Sequence, residues 1–313
     1  MRIAIYGSGG VGCYVGGRLQ SGGHEVSFIA RGANLAGLRA NGLSIQSVQG
    51  DLRLASVHAS DDPAQVGPVD VVVLCVKLYD LEDAAAKIKP LLGPHTMVVP
   101  IQNGIDSADR LQTVLGVEHV VKGLVFVVSH LAGPGRVVHR SEFCKLIFAE
   151  VNGSASPRCT QFAAALVACG IEGRVSENID ADLWRKFTRL APFSAVACLS
   201  RANLGEILDN AALFSLLADA VAEVVAVAGA RGVPMASDTV TVLLEEVKSY
   251  PREARPSMLM DLLAGRRLEL DSLSGAVVRM GKAAGVPTPV HDVAWRALGV
   301  HVGGHAENTR ARA

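Results

Sequence analysis

The feature that most constrains this chain is a cluster of glycines directly after its first apolar segment. Residues 2–6 form a short run rich in β-branched side chains, and residues 7–12 read Gly-Ser-Gly-Gly-Val-Gly. A stretch with helical character follows and ends near residue 22. A strand, a glycine-rich turn and a helix in this order predict the start of a β-α-β unit.

The glycine spacing fits the pattern Gly-x-Gly-x-x-Gly. We expect Gly7 to permit a tight turn, Gly9 to let a pyrophosphate approach the backbone, and Gly12 to allow close packing of helix on strand. Free N–H groups at a helix start bind anions. The alternative is a glycine-rich turn without a ligand. The predicted dinucleotide-binding loop consists of Gly7, Ser8, Gly9, Gly10, Val11 and Gly12.

Three further polar residues follow predicted parallel strands, whose carboxyl ends face the ligand in such folds. Arg31 follows strand 25–30, where a basic side chain favours the 2′-phosphate of NADPH over NADH; it could also be an ordinary solvated arginine. Lys77 follows the apolar run 69–76 and could meet the same phosphates or simply end a buried strand. Asn103, after strand 97–101, could contact the nicotinamide ribose or the substrate, or form an Asn-Gly turn.

The pattern along the rest of the chain changes once, near residue 178. Before it, further strands are expected at 120–128, 136–150 and 171–175, with helices at 80–92 and 157–169, so the sheet should be mixed. After it, long helical patterns are expected at 181–199, 211–230, 237–248, 257–264 and 268–284. The predicted fold class is α/β, with an N-terminal Rossmann-type dinucleotide-binding domain (1–177) followed by an all-helical C-terminal domain (178–313) whose tail frays after about residue 302.

Composition narrows the classes of partner. Thirty basic residues balance thirty acidic ones without clustering, so we expect neither nucleic acid nor an anionic membrane as a partner. The six cysteines are dispersed, which argues against a zinc site and a disulfide framework. The longest apolar runs considered, 69–76 and 120–128, fall short of the roughly 20 residues that span a bilayer. With no export signal in view, a cytoplasmic protein is expected.

Reduction of a ketone by a dinucleotide also needs a proton donor. Lys186 is a candidate, because it lies beside the apolar stripe of a predicted helix and would be half-buried there. Arg185 and Arg189 would disfavour its charged form. The alternative is a surface lysine paired with Asp182 one turn earlier. The positions of the apolar stripe are 183, 187, 190 and 194.

Together, these segments resemble the ketopantoate reductases (2-dehydropantoate 2-reductases) over nearly the whole chain. The motifs that carry the resemblance lie at residues 7–12, 76–77, 101–104, 183–187, 256–261 and 265–271. The resemblance implies NADPH-dependent reduction of a small 2-keto acid, 2-dehydropantoate, to pantoate in pantothenate biosynthesis. It implies that the glycine loop, Arg31 and Lys77 bind NADPH.

The resemblance also assigns the chemistry. It implies that Lys186 donates the proton to the keto oxygen, that Glu269 hydrogen-bonds the forming hydroxyl, and that Ser257 and Asn103 help to hold the substrate. The residues themselves leave alternatives open. Glu269, in the predicted helix 268–284, could be an acid near a helix N-terminus, and Ser257 after Pro256 could be an N-cap.

Two positions depart from the family pattern. Leu190 and Ser194 stand where members with established pantoate chemistry commonly carry asparagine, and Pro192 lies between them. Ser194 remains a candidate substrate contact, and Asn203 could supply an amide nearby. A different 2-keto acid is therefore an alternative substrate, and a non-catalytic NADP(H)-binding sensor is an alternative of another class. The apolar helices of the second domain are compatible with a homodimer.

Overall fold

The computed structural model describes residues 1–304. The chain divides into two compact units, Met1–Ile179 and Asp180–Ala313, so the expected boundary lies two residues before the observed one. The end of the described chain is held in place, because the Leu268 N–H donates to the Val302 carbonyl at 3.0 Å. Residues 305–313, which make up most of the tail expected to fray, lie outside the described residues.

The first unit alternates strands and helices. Its strands are β1 Arg2–Tyr6, β2 Glu25–Ile29, β3 Leu43–Ser47, β4 Leu52–Leu54, β5 His58–Ser60, β6 Val69–Leu74, β7 Leu92–Pro100, β8 Val121–Phe126, β9 Ser129–Gly133, β10 Arg136–His139, β11 Lys145–Glu150 and β12 Glu172–Val175. Its helices are α1 Gly10–Ser21, α2 Gly32–Asn41, α3 Leu81–Lys87, α4 Ser107–Leu115 and α5 Pro157–Ala168. Short 3₁₀ turns flank α3, so the segment 80–92 is helical only in part.

The central sheet has five strands in the order β5-β2-β1-β6-β7, all parallel. Its strands are apolar on both faces. Ile5 and Val73 belong to one buried cluster, whereas Ala4 and Val72 belong to another that also includes residues of α3 and α4. Burial on both faces explains the continuous apolar runs in the sequence. Because the strands are parallel, their carboxyl ends share one edge of the sheet.

The expectation of one mixed sheet was wrong. The remaining strands form two separate sheets, each with parallel and antiparallel pairs, in the orders β4-β3-β10-β9 and β12-β11-β8. The segment 136–150 divides between them, because β10 pairs with β3 and β9 whereas β11 pairs with β8 and β12. The helices α2 and α4 and the short strands β3, β4, β5 and β9 were not assigned from the sequence.

The second unit is helical in its described part. Its helices are α6 Ile179–Ser200, α7 Leu204–Asp209, α8 Ala211–Ala230, α9 Thr239–Lys248, α10 Ser257–Leu263, α11 Ser274–Ala284 and α12 Pro289–Leu298. The predicted helix 268–284 was wrong at its start. Residues 268–273 form turns, fixed by the bond from Leu268 to Val302 and by an ion pair of 2.7 Å between Asp271 and Arg279. The sequence did not reveal α7 or α12.

Helix α8 has 20 residues and is by length and composition apolar enough to cross a membrane, with a mean hydropathy of 2.0 over its most apolar 18-residue window. The expectation that 69–76 and 120–128 are the longest apolar segments was therefore wrong. Glu223 lies in the middle of α8 and is buried, and its carboxylate accepts backbone N–H bonds from Val290 at 2.6 Å and His291 at 3.0 Å. These bonds tie the middle of α8 to the first turn of α12.

Candidate active site

The glycine loop adopts the geometry of an anion-binding turn. Gly7 has a φ of +98°, which favours glycine, and the N–H groups of Gly7 and Ser8 both donate to the Ile29 carbonyl at 3.2 Å. Helix α1 begins at Gly10, with Gly9 as N-cap and no side-chain hydrogen bond to its first turn. The first turn holds no acidic residue, so the N-terminal N–H groups are available to an anion.

The surroundings of each glycine show where the protein leaves no room for a side chain and where it leaves open space. A Cβ on Gly12 would overlap the Gly7 carbonyl oxygen, one on Gly10 would lie 2.5 Å from the His130 Cα, and one on Gly7 would lie 2.7 Å from the Val76 nitrogen. A Cβ on Gly9 would meet no protein atom within 4 Å. The protein therefore leaves open space only beside Gly9 in this loop, which fits a pyrophosphate lying against its backbone.

Ser8, one of the predicted cofactor residues, makes hydrogen bonds that stabilise the loop. Its hydroxyl donates to the Ile29 carbonyl at 2.9 Å, and its carbonyl accepts from the Asn34 side-chain amide. The Asn34 amide oxygen in turn accepts the Gly135 N–H at 2.9 Å. Ser8 is thus a structural part of the loop, because its polar groups are engaged within the protein. Asn34, which the sequence did not single out, ties the loop to the turn between β9 and β10.

Arg31, Lys77 and Asn103 follow β2, β6 and β7, so all three lie at the edge of the sheet that carries the glycine loop. Arg31 is 78% exposed at its side chain and forms an ion pair of 3.2 Å with Asp80, whose side chain is 29% exposed. Lys77 and Asn103 are partly buried. The predicted cofactor residues are therefore brought to one edge, together with an acidic residue that the sequence analysis missed.

Gln102 is a second polar residue at this edge that the sequence analysis missed. Its side chain is buried, and neither its amide nitrogen nor its amide oxygen has a hydrogen-bond partner among the described residues. A buried amide without partners is unfavourable by about 1–3 kcal/mol. A bound ligand or an ordered water beside β7 would relieve that cost. A glutamine at a strand end gives no periodicity signal, which is why it was overlooked.

In the second unit, Lys186 lies on α6 and is partly buried. Burial lowers the pKa of its ammonium from 10.5 to about 8, and the nearby Glu269 carboxylate opposes that shift. The expectation that Arg185 and Arg189 lower this pKa was wrong. Both guanidinium groups share the Glu246 carboxylate of α9, at 2.8 and 3.3 Å, and neither contributes to the lowered pKa of Lys186.

Glu269 is 4% exposed and is flanked by the buried Leu268 and Leu270. It does not lie on a helix, so the alternative of a helix N-terminal acid is wrong; it lies in the turns before α11. An ion pair of 2.7 Å between Asp261 and Arg266 closes the preceding turn after α10. The helical unit thus places a buried carboxylate close enough to act on the Lys186 ammonium.

One and two turns along α6 from Lys186 lie an apolar residue, Leu190, and a polar one, Ser194. Leu190 lies one turn further and is partly buried, whereas Ser194, two turns further, is fully buried. The Ser194 hydroxyl has no hydrogen-bond partner among the described residues. Pro192 inside the helix has no N–H to offer the preceding turn. The unpartnered Ser194 hydroxyl is consistent with a ligand contact.

Two other residues differ from their expected positions. Ser257 is exposed and is the first residue of α10; Pro256 holds the N-cap position, so Ser257 is not the cap. Its hydroxyl makes no cap bond and can meet a ligand. Asn203 caps α7, where its side chain accepts the Glu206 N–H at 2.9 Å and Glu206 binds the Asn203 N–H in return. Its amide oxygen is therefore engaged in the capping box of α7.

The fold and the two clusters define an oxidoreductase with a nicotinamide dinucleotide site. Comparisons with known proteins then identify the family. Residues 3–153 match the family described as "Ketopantoate reductase PanE/ApbA", and residues 178–301 match "Ketopantoate reductase PanE/ApbA C terminal". The chain belongs to the ketopantoate reductase family, whose members use NADPH and act on CH–OH groups. The family, the fold class and the cofactor predicted from the sequence are thus confirmed.

Individual relatives agree over nearly their whole length. The chain is 30% identical to a 2-dehydropantoate 2-reductase of Mesorhizobium japonicum, covering 93% of this chain and 95% of the relative. A ketopantoate reductase structure from Ralstonia eutropha JMP134 is 32% identical, with a TM-score of 0.88 over 96% of this chain and 98% of that one. A D-mandelate dehydrogenase bound to NADH and anilino(oxo)acetate shares the fold, with a TM-score of 0.88, 24% identity and coverage of 96% and 98%.

Proposed function

We propose that this protein reduces 2-dehydropantoate to pantoate with NADPH, as a cytoplasmic enzyme of pantothenate biosynthesis. The observation that carries the proposal is the pairing of the partly buried Lys186 with the buried Glu269, in a family whose reaction requires a proton donor. When bound, NADPH supplies a hydride to the keto carbon. The residues of the chain then have to bind, orient and protonate the substrate.

Lys186 is proposed as the proton donor to the keto oxygen. With a pKa of about 8 the ammonium still outnumbers the neutral amine by roughly ten to one at pH 7, yet it releases its proton far more readily than an exposed lysine. Glu269 is proposed to accept a hydrogen bond from the forming hydroxyl. Its negative charge also keeps the buried ammonium protonated until the oxygen needs the proton.

The remaining roles concern binding. We propose that the Gly9 backbone, the start of α1, Arg31 and Lys77 bind the phosphates of the cofactor. Asn103, Ser194 and Ser257 are proposed as substrate contacts, and the unpartnered hydroxyl of Ser194 supports its assignment. Asn103 also has the position to contact the nicotinamide ribose.

A second candidate is the reduction of a different 2-keto acid, favoured by Leu190. An apolar side chain one turn from Lys186 offers no hydrogen bond to a hydroxyl on the substrate, which changes preference by about 1–3 kcal/mol per contact. A more apolar keto acid would then be the better substrate.

The test is NADPH oxidation with 2-dehydropantoate, branched and unbranched 2-keto acids, and an aryl 2-keto acid, the last because a D-mandelate dehydrogenase shares the fold. Highest kcat/KM with 2-dehydropantoate supports the proposal. Preference for an apolar keto acid, reversed by Leu190→Asn, favours the second candidate. Binding of NADPH without turnover of any keto acid would leave a sensor and refute both.

A further inference from the structure

The edge of the central sheet that carries the glycine loop is called the cofactor edge. Acidic side chains lie among the basic ones there. Asp80 Oδ2 lies 3.2 Å from Arg31 Nη2, and Asp83, on α3, lies 2.9 Å from the Lys87 ammonium. Both carboxylates and both cations are close enough to affect the pKa of Tyr6 at the end of β1. A phosphate that approaches Arg31 therefore meets a negative charge as well as a positive one.

The form of the Arg31–Asp80 pair shows how it would respond to an anion. One N–O contact joins the two groups, and Arg31 is mostly exposed whereas Asp80 is mostly covered. Asp80 occupies the N-cap position of α3 but makes no side-chain hydrogen bond to that helix. An exposed arginine with several unused donors can turn towards a phosphate, while the covered carboxylate remains beside it.

We propose that Asp80 is a specificity-determining residue that reduces the preference for NADPH over NADH. Its carboxylate competes with the 2′-phosphate for the Arg31 guanidinium and repels that phosphate. NADH carries no 2′-phosphate and leaves the Arg31–Asp80 pair intact. This inference rests on the proposed function, in which Arg31 meets the 2′-phosphate, and adds that the acidic neighbour of Arg31 sets the degree of discrimination.

The experiment measures the dissociation constants of NADPH, NADH, 2′-AMP and 5′-AMP by calorimetry on the full-length protein. Exposed ion pairs of this kind change affinities modestly, so Asp80→Asn should tighten NADPH and 2′-AMP about threefold to fivefold and leave NADH and 5′-AMP within about twofold. Asp83→Asn is the matched control, because it removes the same charge from the same segment but from a carboxylate paired with Lys87.

The double variant Arg31→Ala with Asp80→Asn separates competition from general charge. If Asp80 acts by competing for Arg31, most of the increase in NADPH affinity caused by Asp80→Asn disappears when the Arg31 side chain is absent. Weaker or unchanged NADPH binding by Asp80→Asn would overturn the proposal, as would an equal gain from Asp83→Asn. If Arg31→Ala alone leaves the NADPH to NADH ratio unchanged, the proposed role of Arg31 itself has failed, which is a separate result.

Discussion

The cofactor edge of the first unit, which comprises the glycine loop and Arg31, differs from the proposed catalytic pair of the second unit, Lys186 and Glu269, in the chemical groups that form it. The cofactor edge relies on backbone, with open space beside Gly9 and N–H groups at the start of α1, and on an exposed arginine. The proposed catalytic pair relies on two ionisable side chains, the partly buried Lys186 and the buried Glu269. Changes at the edge should therefore affect binding, whereas changes at the pair should affect protonation.

The largest expected effect tests this division at the catalytic pair. Lys186→Ala should lower kcat by about a thousandfold, within the range for losing a general acid. NADPH affinity should stay within about twofold, because the glycine loop belongs to the other unit. Steady-state kinetics and calorimetry measure the two quantities on the same sample.

Lys248→Ala is the control for that variant. Lys248 is an exposed lysine of α9 that pairs with Glu245 at 2.6 Å, so its removal should leave kcat unchanged. A Lys186→Ala enzyme with normal kcat would refute the catalytic assignment. A large loss of NADPH affinity in this variant would contradict the division of binding and protonation between the two regions.

The second prediction concerns the buried His291 in the second unit and the free energy of unfolding. His291 is fully buried; its Nε2–H donates to the Ala220 carbonyl at 3.3 Å, and burial lowers its pKa to about 4. Because the folded pKa lies below the unfolded value of about 6.5, this contribution is complete above pH 6.5 and is lost as the pH falls to 4. The free energy of unfolding should fall by up to about 3 kcal/mol over that window.

His291→Phe should remove this slope while lowering stability at every pH, since it also loses the hydrogen bonds of the imidazole. Glu223 does not mimic the effect: burial raises its pKa, so its contribution is lost as the pH rises above 4.5. His95→Asn, at an exposed histidine, is the control and should keep the wild-type slope. Denaturant unfolding between pH 4 and 7 measures the free energy of unfolding of each variant. If His291→Phe keeps the wild-type dependence of that free energy on pH, the account is contradicted.

The third prediction compares two glycines of one loop. Gly12→Ala should lose about 1–3 kcal/mol of folding stability, because its Cβ would overlap the Gly7 carbonyl oxygen. Gly9→Ala should keep its stability within about 0.5 kcal/mol but bind NADPH about tenfold more weakly, which equals about 1.4 kcal/mol. Thermal unfolding and calorimetry separate the outcomes. Normal NADPH binding by Gly9→Ala would show that the open space beside Gly9 is not the pyrophosphate site.

The smallest effect concerns Asn34, which holds the glycine loop from outside. Asn34→Asp keeps an acceptor for the Gly135 N–H but cannot donate to the Ser8 carbonyl. It should weaken NADPH binding about threefold, as expected for one lost hydrogen bond. Calorimetry on Asn34→Asp and Asn34→Ala tests this. If only Asn34→Ala weakens binding, the bond to Ser8 does not set the loop geometry.

Parts of the fold that depend on local backbone geometry or on long apolar periodicity could be predicted from the sequence, whereas parts fixed by long-range contacts could not. The turn and helix start of the glycine loop were predicted correctly because they follow from the local backbone requirements of Gly7 and Gly12. The helices α6 and α8 were predicted because their apolar periodicity is long. By contrast, α2 and the strands β3, β4 and β5 are short and have weak patterns, and the segment 268–273 is fixed by long-range bonds that no local pattern shows.

The chemistry of the second unit could be assigned only through family resemblance. Spacing alone favours the interpretation of Lys186 as a surface lysine, because the burial that lowers its pKa comes from tertiary packing. The same is true of the pairing of Arg185 and Arg189 with Glu246, which join residues about sixty positions apart. Asp80, beside Arg31, and the unpartnered Gln102 likewise became visible only in three dimensions.

The central claim, that Lys186 donates the proton in an NADPH-dependent reduction of a 2-keto acid, is tested most directly by a pH profile. We would measure kcat/KM for 2-dehydropantoate, or for the best keto acid of the panel, with NADPH from pH 6 to 10. Because the Lys186 pKa is about 8, the rate should fall about tenfold per pH unit above that value. A rate that stays level through pH 10, or no NADPH oxidation with any 2-keto acid, would contradict the account.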